Sequence, residues 1–561
     1  MVAVQELSVF VLVAFSLVLG VQCSISGVEV AYVVADNTGK FSIVKSSPSQ
    51  WVAKAEFSNK VNETGWSYLS VTTNGEYTDE QQSYAAGVVE GYLTKDHITM
   101  HWKNTVEGQF CERPLNPECH ELRNFLQNNL DWLKEQIQDQ NTTYWNLVNL
   151  FLVQVAGLTD GYFNKLRGVS TDVDPFGLYV LSLSGDMEDI PNALNPLRKK
   201  KVVGSGSCSA LIKLLPGNKD LYVSHDTWDT YQSMLRMLKK YDFAFKPQGV
   251  PVAGKVITMS SYPGVLLSGD DYYLISSGLA TQETTIGNSN PALYKYVTKE
   301  SVLEGIRTMV ANRMAKSGLD WVQTFSQYNS GTYNNQWMVV DYRQFSPGFA
   351  PYKGLLHILE QIPGSVKYED KTDVLNQQTY WPSYNIAYFP EIFNKSGCWD
   401  NVRKYGDWFT YDKSPRAQIF KRDHSKVKDL QSMQRLMRYN DFKHDPLAKC
   451  NCTPPYSGEN GISARCDLNP ASGTYPFGAL GHRSHGGTDM KLTNYAMFNN
   501  LEFIAISGPT YDQLPPFQWS KADFAKDCPH YGHPDIYKFD PVHFNGTLTE
   551  ERRVGVHISV Q

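Results

Sequence analysis

Hydrophobic and polar residues alternate in short runs near the start of the chain, from Val28 to Val71, where an Asn-Thr-Gly turn interrupts VEVAYVVADNTGKFSIV. This period of two indicates short β-strands and a hairpin. The spacing then changes to three and four, at Leu122, Phe125, Leu126, Leu130, Leu133 and Ile137. A second apolar run extends from Tyr144 to about Leu158. These two stretches predict helices that each bury one face in a core.

A further hairpin is predicted in CSALIKLLPGNKDLYVSHDTW, which begins at Cys208. Its apolar run turns at PGNK and returns as a second strand that ends just before His225. Helical spacing follows at Tyr231, Met234, Leu235 and Leu238, so the predicted order is strand, strand, helix. Together these elements predict a chain of the α+β class.

Composition predicts a globular protein with a large core, because 42% of the 561 residues are hydrophobic and only 19% are charged. The length sets an upper bound of about three or four domains, since sheet-rich enzymes often form one long unit. The net charge of -5 gives none of the basic field that a nucleic-acid partner requires.

An apolar run from Val9 to Val21, followed by small residues around Cys23 and Ser24, predicts a signal peptide over residues 1–23. The alternative is an uncleaved anchor, but the run is shorter than the roughly 20 apolar residues that span a bilayer. We therefore expect no stable membrane anchor. Five glycosylation sequons support the secretory route and a secreted or lysosomal location: Asn62, Asn141, Asn394, Asn451 and Asn545.

The nine cysteines fit an oxidising compartment. Cys111 and Cys119 bracket a short loop that a disulfide could close. Cys450, Cys452, Cys466 and Cys528 form a second group. If Cys23 leaves with the signal and Cys208 stays free, the other seven cannot all pair. Either another thiol is then free, or the signal is cut before Cys23.

The stretch before Cys208, NPLRKKKVVGSGS, is basic and then rich in glycine and serine, which predicts an accessible loop. It suits a solvated loop or a protease site as well as a catalytic one. A thiol at the start of a strand behind such a loop can attack the Ser207 carbonyl, take over the acyl group and lose it to water. The freed α-amine of Cys208 would then serve as a base. Composition alone favours a buried or disulfide-bonded cysteine instead.

The stretch GSGSCSALIKLLPGNKDLYVSHDTWDTYQSMLRMLKKYDF resembles the region around the nucleophile of the phospholipase B-like family. Four further blocks resemble the same family: SSYPGVLLSGDDYYLISSGLATQETTIGN, GTYNNQWMVVDY, YWPSYNIAYF and GHRSHGGTDMKLTN. The resemblance implies a four-layer αββα fold of the N-terminal-nucleophile hydrolases. It also implies cleavage into fragments 24–207 and 208–561 that stay associated, and removal of fatty-acyl chains from glycerophospholipids without a cofactor.

The resemblance also assigns roles to single residues. Cys208 would be the nucleophile, and His225 with Asp226 would position its α-amine or the substrate. Some relatives resemble His-Asn-Thr-Trp here, so a carboxylate at Asp226 is not expected to be required. Trp228 would wall an acyl pocket, and Asn335 and Thr284 would be the oxyanion donors.

Other functions remain as alternatives. The sequence around Cys208 partly imitates a nucleophile elbow, but an elbow needs a helix after the strand, and no Gly-x-Ser-x-Gly occurs. The pairs His482/His485 and His530/His533, with Asp489 and Asp535 nearby, lie in Gly- and Pro-rich stretches, so no metal site is predicted. A fatty-acyl amide hydrolase of the same fold, or a catalytically silent binding glycoprotein, would share every feature above.

Overall fold

The computed structural model describes residues 27–108, 111, 115–195 and 202–548. The predicted signal peptide and the basic residues 198–201 lie outside the described residues. Helices and sheets are both extensive, which confirms the α+β class.

The larger sheet has eleven strands within the described ranges. Its spatial order is β13 (Ser365–Asp370), β12 (Leu356–Ile362), β11 (Asn335–Asp341), β10 (Leu279–Thr285), β9 (Tyr272–Ile275), β8 (Val256–Ser261), β7 (Arg236–Asp242), β4 (Trp66–Thr73), β3 (Ala53–Lys60), β1 (Glu29–Ala35) and β2 (Phe41–Val44). All neighbours are antiparallel except β4 and β7, which are parallel. Strands from both sides of Cys208 therefore share one sheet.

The smaller sheet has the order β14 (Tyr380–Ser383), β5 (Cys208–Leu214), β6 (Leu221–Thr230), β16 (Asp489–Thr493), β17 (Phe503–Ser507) and β20 (Val542–Phe544). A short strand, β15 (His485–Gly487), also pairs with β6, while β18 (Phe517–Gln518) and β19 (Ile536–Tyr537) form a separate ribbon. The predicted hairpin at Cys208 is confirmed as β5 and β6, with Cys208 opposite Thr227.

The helices are α1 (Val61–Thr64), α2 (Asp79–Leu93), α3 (Lys95–Thr105), α4 (Pro117–Asp139), α5 (Thr143–Phe163), α6 (Ile190–Leu194), α7 (Glu304–Met314), α8 (Gly318–Phe325), α9 (Thr372–Gln378), α10 (Pro390–Lys395), α11 (Cys398–Tyr405), α12 (Pro415–Asp423), α13 (Leu430–Met437) and α14 (Tyr495–Phe498). Two of them, α4 and α5, confirm the helices predicted from apolar spacing. In the described residues, no helix is both long and apolar enough to cross a bilayer.

The helix predicted after β6 is wrong. Residues Tyr231–Ser233 form a single 3-10 turn, and Arg236–Asp242 is strand β7 in the middle of the larger sheet. Met237 and Tyr241 pack toward the helices, whereas Leu238 packs toward the smaller sheet. Because both faces of β7 are buried, its apolar residues do not alternate cleanly, and the spacing imitates a helix.

Two hydrophobic cores hold the sheets in place. One lies between the larger sheet and helices α2, α4, α5, α7 and α8. Helices α2 and α5 approach closely because glycines face each other, and a Cβ on Gly87 would lie 2.1 Å from the Gln154 carbonyl oxygen. The other core joins the opposite face of the larger sheet to the smaller sheet, where the Tyr272 hydroxyl donates to the Val223 carbonyl at 3.3 Å. Helices α12 and α13 contact the smaller sheet.

Candidate active site

Cys208 is the first residue of β5, and only 2% of its surface is exposed. Its thiol is free and lies 3.9 Å from Oε1 of Glu283 in β10, with the geometry of a donor to that oxygen. The Tyr333 hydroxyl donates to the same oxygen at 3.1 Å. Burial and then the charge of Glu283 raise the pKa of the thiol well above its usual range. This shift favours the neutral thiol, and a thiol must lose its proton before it can act as a nucleophile.

The peptide bond before Cys208 is held from several sides. The backbone N–H of Trp228 donates to the Ser207 carbonyl oxygen at 2.5 Å. Asn385 accepts from the Ser207 N–H at 3.2 Å, and Nη1 of Arg416 donates to the Cys208 carbonyl at 2.6 Å. The carbonyl next to the thiol thus already has a hydrogen-bond donor on its oxygen, where negative charge would develop during attack.

A cavity of about 580 Å³ opens beside this peptide bond. Ser205, Asn385, Arg416 and Glu459 line it near the bond, and aromatic rings including Trp408 line it further out. Asn385 and Arg416, which hydrogen-bond to Ser207 and Cys208, also line the cavity, so a ligand that contacts them would lie near Cys208.

His225 in β6 pairs with Ala210 in β5, and Cys208 lies two residues from Ala210 on the same face of β5. His225 therefore lies beside Cys208. Its Nε2 lies 2.9 Å from the carbonyl oxygen of Glu283, and since a carbonyl can only accept, this nitrogen carries the proton. Burial and then Lys491 lower the pKa of His225 well below its usual range. A neutral His225 that donates to Glu283 can fix the position of this strand, but its Nε2 cannot accept the thiol proton.

Asp226 and Trp228 lie on the opposite face of β6 from Thr227, because neighbouring strand residues point to opposite faces. Thr227 donates to Asp270 at 3.0 Å. Asp226 is fully buried near Ser463, and burial followed by the charge of Asp489 raises its pKa. The Trp228 ring covers the Arg416 guanidinium at 4.2 Å and lies 3.1 Å from the place of a Cβ on Gly206.

Thr284 and Asn335 are both buried, but in the described part of the chain neither side chain hydrogen-bonds to Cys208. The Thr284 hydroxyl bonds to Ser383 at 2.6 Å and so links the two sheets. The Asn335 amide donates to Glu304 at 3.4 Å. Their predicted role as oxyanion donors stays a prediction.

Sequence reasoning missed the groups that surround Cys208 and the residues just before it, namely Glu283, Tyr333, Asn385, Arg416 and Glu459. Glu283 had a visible signal, because it is a charged residue within the apolar stretch GLATQETT. Arg416 had none, since it begins a helix more than two hundred residues after Cys208 in the chain and meets it only through folding.

Two groups of metal-capable side chains occur within the described ranges: Cys208 with His225 and Glu283, and Glu459 with Cys466 and His485. The predicted histidine pairs are not brought together as ligand groups there. Nε2 of His482 lies 3.0 Å from Asp523, and the His530 ring stacks on Trp519.

The structure also bears on maturation in the secretory pathway. It joins Cys111 to Cys119 and Cys450 to Cys452 in disulfides, and leaves Cys208, Cys398, Cys466 and Cys528 free. Four sequon asparagines are exposed, at positions 62, 141, 394 and 451, and Asn545 is half-buried. The sequons are thus open to a glycosylating enzyme at four of five positions.

Comparison with known proteins decides the family. A family model described as phospholipase B matches residues 53–544, which is most of the chain. The chain belongs to the phospholipase B family. It is 52% identical over 505 residues to the Mus musculus protein named "Putative phospholipase B-like 2", covering 88% of this chain and 84% of the mouse protein. To the Dictyostelium discoideum phospholipase B-like protein B it is 38% identical over 517 residues, covering 90% and 87%. The resemblance inferred from the sequence blocks is confirmed. In this member of the phospholipase B family, the free Cys208 follows a carbonyl that is already hydrogen-bonded.

Proposed function

We propose that this chain is an acyl hydrolase that activates itself by cleavage between Ser207 and Cys208. One observation carries the proposal: a free thiol follows a carbonyl whose oxygen already accepts the Trp228 N–H, beside a cavity. This arrangement supports the proposal, because acyl transfer needs a nucleophile and a donor to the carbonyl oxygen, and the thiol and the Trp228 N–H would supply them.

Burial and then the charge of Asp271 raise the pKa of Glu283 well above its usual range. In the cleavage step, the fraction of Glu283 that is ionised takes the thiol proton and Sγ of Cys208 attacks the Ser207 carbonyl carbon. The oxyanion stays on the Trp228 N–H. The carbon–nitrogen bond breaks as the Cys208 nitrogen receives the proton from Glu283, which leaves a thioester and a free α-amine. Water then hydrolyses the thioester and releases Ser207 as a carboxylate.

In the mature protein, the Cys208 α-amine takes the thiol proton and Sγ attacks the acyl carbonyl of a substrate. The leaving alcohol or amine receives that proton, and water resolves the thioester. His225 would act as a positioning residue through its bond to Glu283, and Arg416 would position the Cys208 carbonyl.

The proposal includes the αββα fold of N-terminal-nucleophile hydrolases with two fragments that stay associated. Two facing sheets with helices on the outer side of each support the fold. The parallel pairing of β4 with β7 supports association, because it joins strands from the two sides of the cut within one sheet.

The family and the names of its relatives support phospholipid acyl esters as substrates. Fatty-acyl amides remain a second class for the same chemistry. The exposed sequons support a secreted or lysosomal location. Digestion of the secreted protein with a glycosidase should lower its mass. A product that retains Met1 and carries no glycan would contradict this routing.

The activation is tested with Cys208→Ala and a matched control, Cys528→Ala, which removes another free thiol. Intact mass and N-terminal sequencing should find a new terminus at Cys208 in the parent and the control, and an uncut chain in Cys208→Ala. The mature parent should release fatty acid from a phospholipid and form an acyl adduct on Cys208. A cut at residue 208 in Cys208→Ala would assign cleavage to an external protease. Cleavage without release from any ester or amide would favour a silent binding protein.

A further inference from the structure

The segment just before the proposed cut is residues 202–207, and its first four residues line the cavity. Its Val203 carbonyl accepts from the Ala479 N–H at 3.2 Å, and its Gly206 N–H donates to Oε1 of Glu459 at 3.5 Å. The two bonds at Ser207 follow, one to Asn385 and one from Trp228. The segment turns at its start, where the Ser205 N–H donates to the Val202 carbonyl at 3.0 Å, and both hydrogen-bonding directions of its main chain are used by the surrounding protein.

The two acceptors for the segment's N–H groups are fixed by their own neighbours. Arg416 donates to Oδ1 of Asn385 at 2.8 Å, while the Asn385 amide donates to the Thr285 carbonyl at 2.7 Å. The Asn385 oxygen must therefore face the Ser207 N–H. Glu459 is only 1% exposed, and Arg483 donates to its other oxygen at 3.1 Å. A hydrocarbon acyl chain has no N–H for Oε1 of Glu459, and a buried acceptor without a donor opposes its binding, whereas Oδ1 of Asn385 keeps the Arg416 donor.

The segment also fits tightly at one position. A Cβ on Gly206 would lie 2.9 Å from both Nη2 of Arg416 and Oδ1 of Asn385, and 3.1 Å from the Trp228 ring. Only a residue without a side chain fits this space unless its walls move. The site thus selects glycine at the second position before the cleaved carbonyl.

We propose that the groove vacated by residues 202–207 is a subsite for the acyl half of peptide-like amides with glycine at this position. This inference rests on the proposed nucleophile, and it widens the substrates from lipid esters to amides whose acyl half carries N–H donors. Hydrolysis follows the thioester route given above: the carbonyl carbon–nitrogen bond breaks, the amine leaves with a proton, and water supplies the carboxylate oxygen.

The test compares two amides of 7-amino-4-methylcoumarin with the mature, cut protein. One carries the segment's own sequence, Val-Val-Gly-Ser-Gly-Ser, and the other a decanoyl chain. The peptide amide should have a kcat/KM at least about tenfold higher, because only the peptide brings an N–H to the buried Oε1 of Glu459. Alanine in place of the second glycine should lower its kcat/KM by about tenfold or more.

N-methylation provides a matched pair within the substrate and leaves the protein unchanged. Sarcosine in place of the second glycine removes the N–H that donates to Glu459. Sarcosine in place of the first glycine removes an N–H that donates no assigned hydrogen bond within the described residues. The first change should reduce kcat/KM several-fold more than the second. Equal effects of the two, or equal turnover of decanoyl and peptide amides, would overturn the subsite while leaving the acyl hydrolase intact.

A binding measurement separates failure of the subsite from failure of catalysis. The same hexapeptide with a plain C-terminal amide should slow alkylation of Cys208 by iodoacetamide in the mature protein, whether or not turnover occurs. Protection without turnover of any ester or amide would support the subsite and remove the proposed hydrolase. No protection together with no turnover of the peptide amide would overturn the subsite.

Discussion

Two buried groups of charged residues flank Cys208, and their charge balance differs. The paired cluster consists of Arg236, Asp270, Asp489 and Lys491, all fully buried and joined by ion pairs. The acidic cluster consists of Asp186, Asp271, Glu283 and Glu304, also buried but without equal positive charge.

Neighbouring residues in the sequence show the contrast directly. Burial alone would raise the pKa of Asp270, but Arg236 and Lys491 lower it below the usual range. Burial, with the charge of Asp270, raises the pKa of Asp271 to about 7. The ion pairs of the paired cluster join the two sheets and lower the pKa of Asp270, whereas Asp271 in the acidic cluster can exchange a proton near neutral pH. The Cys208 thiol contacts the acidic cluster, through Glu283.

The largest expected effect comes from breaking the paired cluster with Asp270→Asn. Arg236 and Lys491 would each lose a buried partner, and the free energy of unfolding should fall by about 3–5 kcal/mol. Urea denaturation measures this. The control is Asp172→Asn, which removes an exposed ion pair with Lys134 and should change stability by less than about 1 kcal/mol. A similar small loss in Asp270→Asn would contradict the structural role.

The next largest effect is expected from Glu283→Gln in the acidic cluster. Without a carboxylate to take the thiol proton, conversion of precursor to fragments should slow by roughly a hundredfold, which gel electrophoresis over time can follow. Glu304→Gln keeps the thiol contact and should change the rate by no more than about threefold. Equal slowing in both variants would assign the effect to the cluster's overall charge.

The pH dependence of stability should depend on Asp271. Its pKa is raised on folding from 3.8 to about 7, so between these values the folded state binds more protons than the unfolded state. The free energy of unfolding should therefore fall as pH rises from about 4 to about 7, by at most about 1.4 kcal/mol per pH unit from this group. Asp271→Asn should flatten the profile measured by denaturation across this range. An unchanged profile would contradict the assignment.

The smallest effect is expected on the other face of β6. Asp226 has a raised pKa and lies away from the thiol, so Asp226→Asn should alter the cleavage rate by no more than about threefold. A loss as large as that in Glu283→Gln would restore a catalytic role for a carboxylate at this position. The same cleavage assay decides between them.

Much of the local structure was predictable because its signals are local. Alternation between Val28 and Val71 and the apolar spacing in α4 and α5 depend on residues close in sequence. The prediction failed at β7, since a strand buried on both faces loses its alternation. For the site, Cys208 and its hairpin were predictable from the turn and the resemblance, but the groups that contact them were not.

By itself, the sequence determined the fold class, the family, the hairpin that begins at Cys208 and the sequons available for glycosylation. Only the tertiary structure decided what surrounds the thiol. Glu283 comes from the larger sheet, Arg416 from a distant helix and Glu459 from a loop, and long-range packing brings them to the thiol of Cys208, its carbonyl and the N–H of Gly206. Neighbouring charges, which no local sequence pattern places, then decide why adjacent Asp270 and Asp271 have opposite pKa shifts, because burial raises both pKa values and only Asp270 has Arg236 and Lys491 close enough to lower its own.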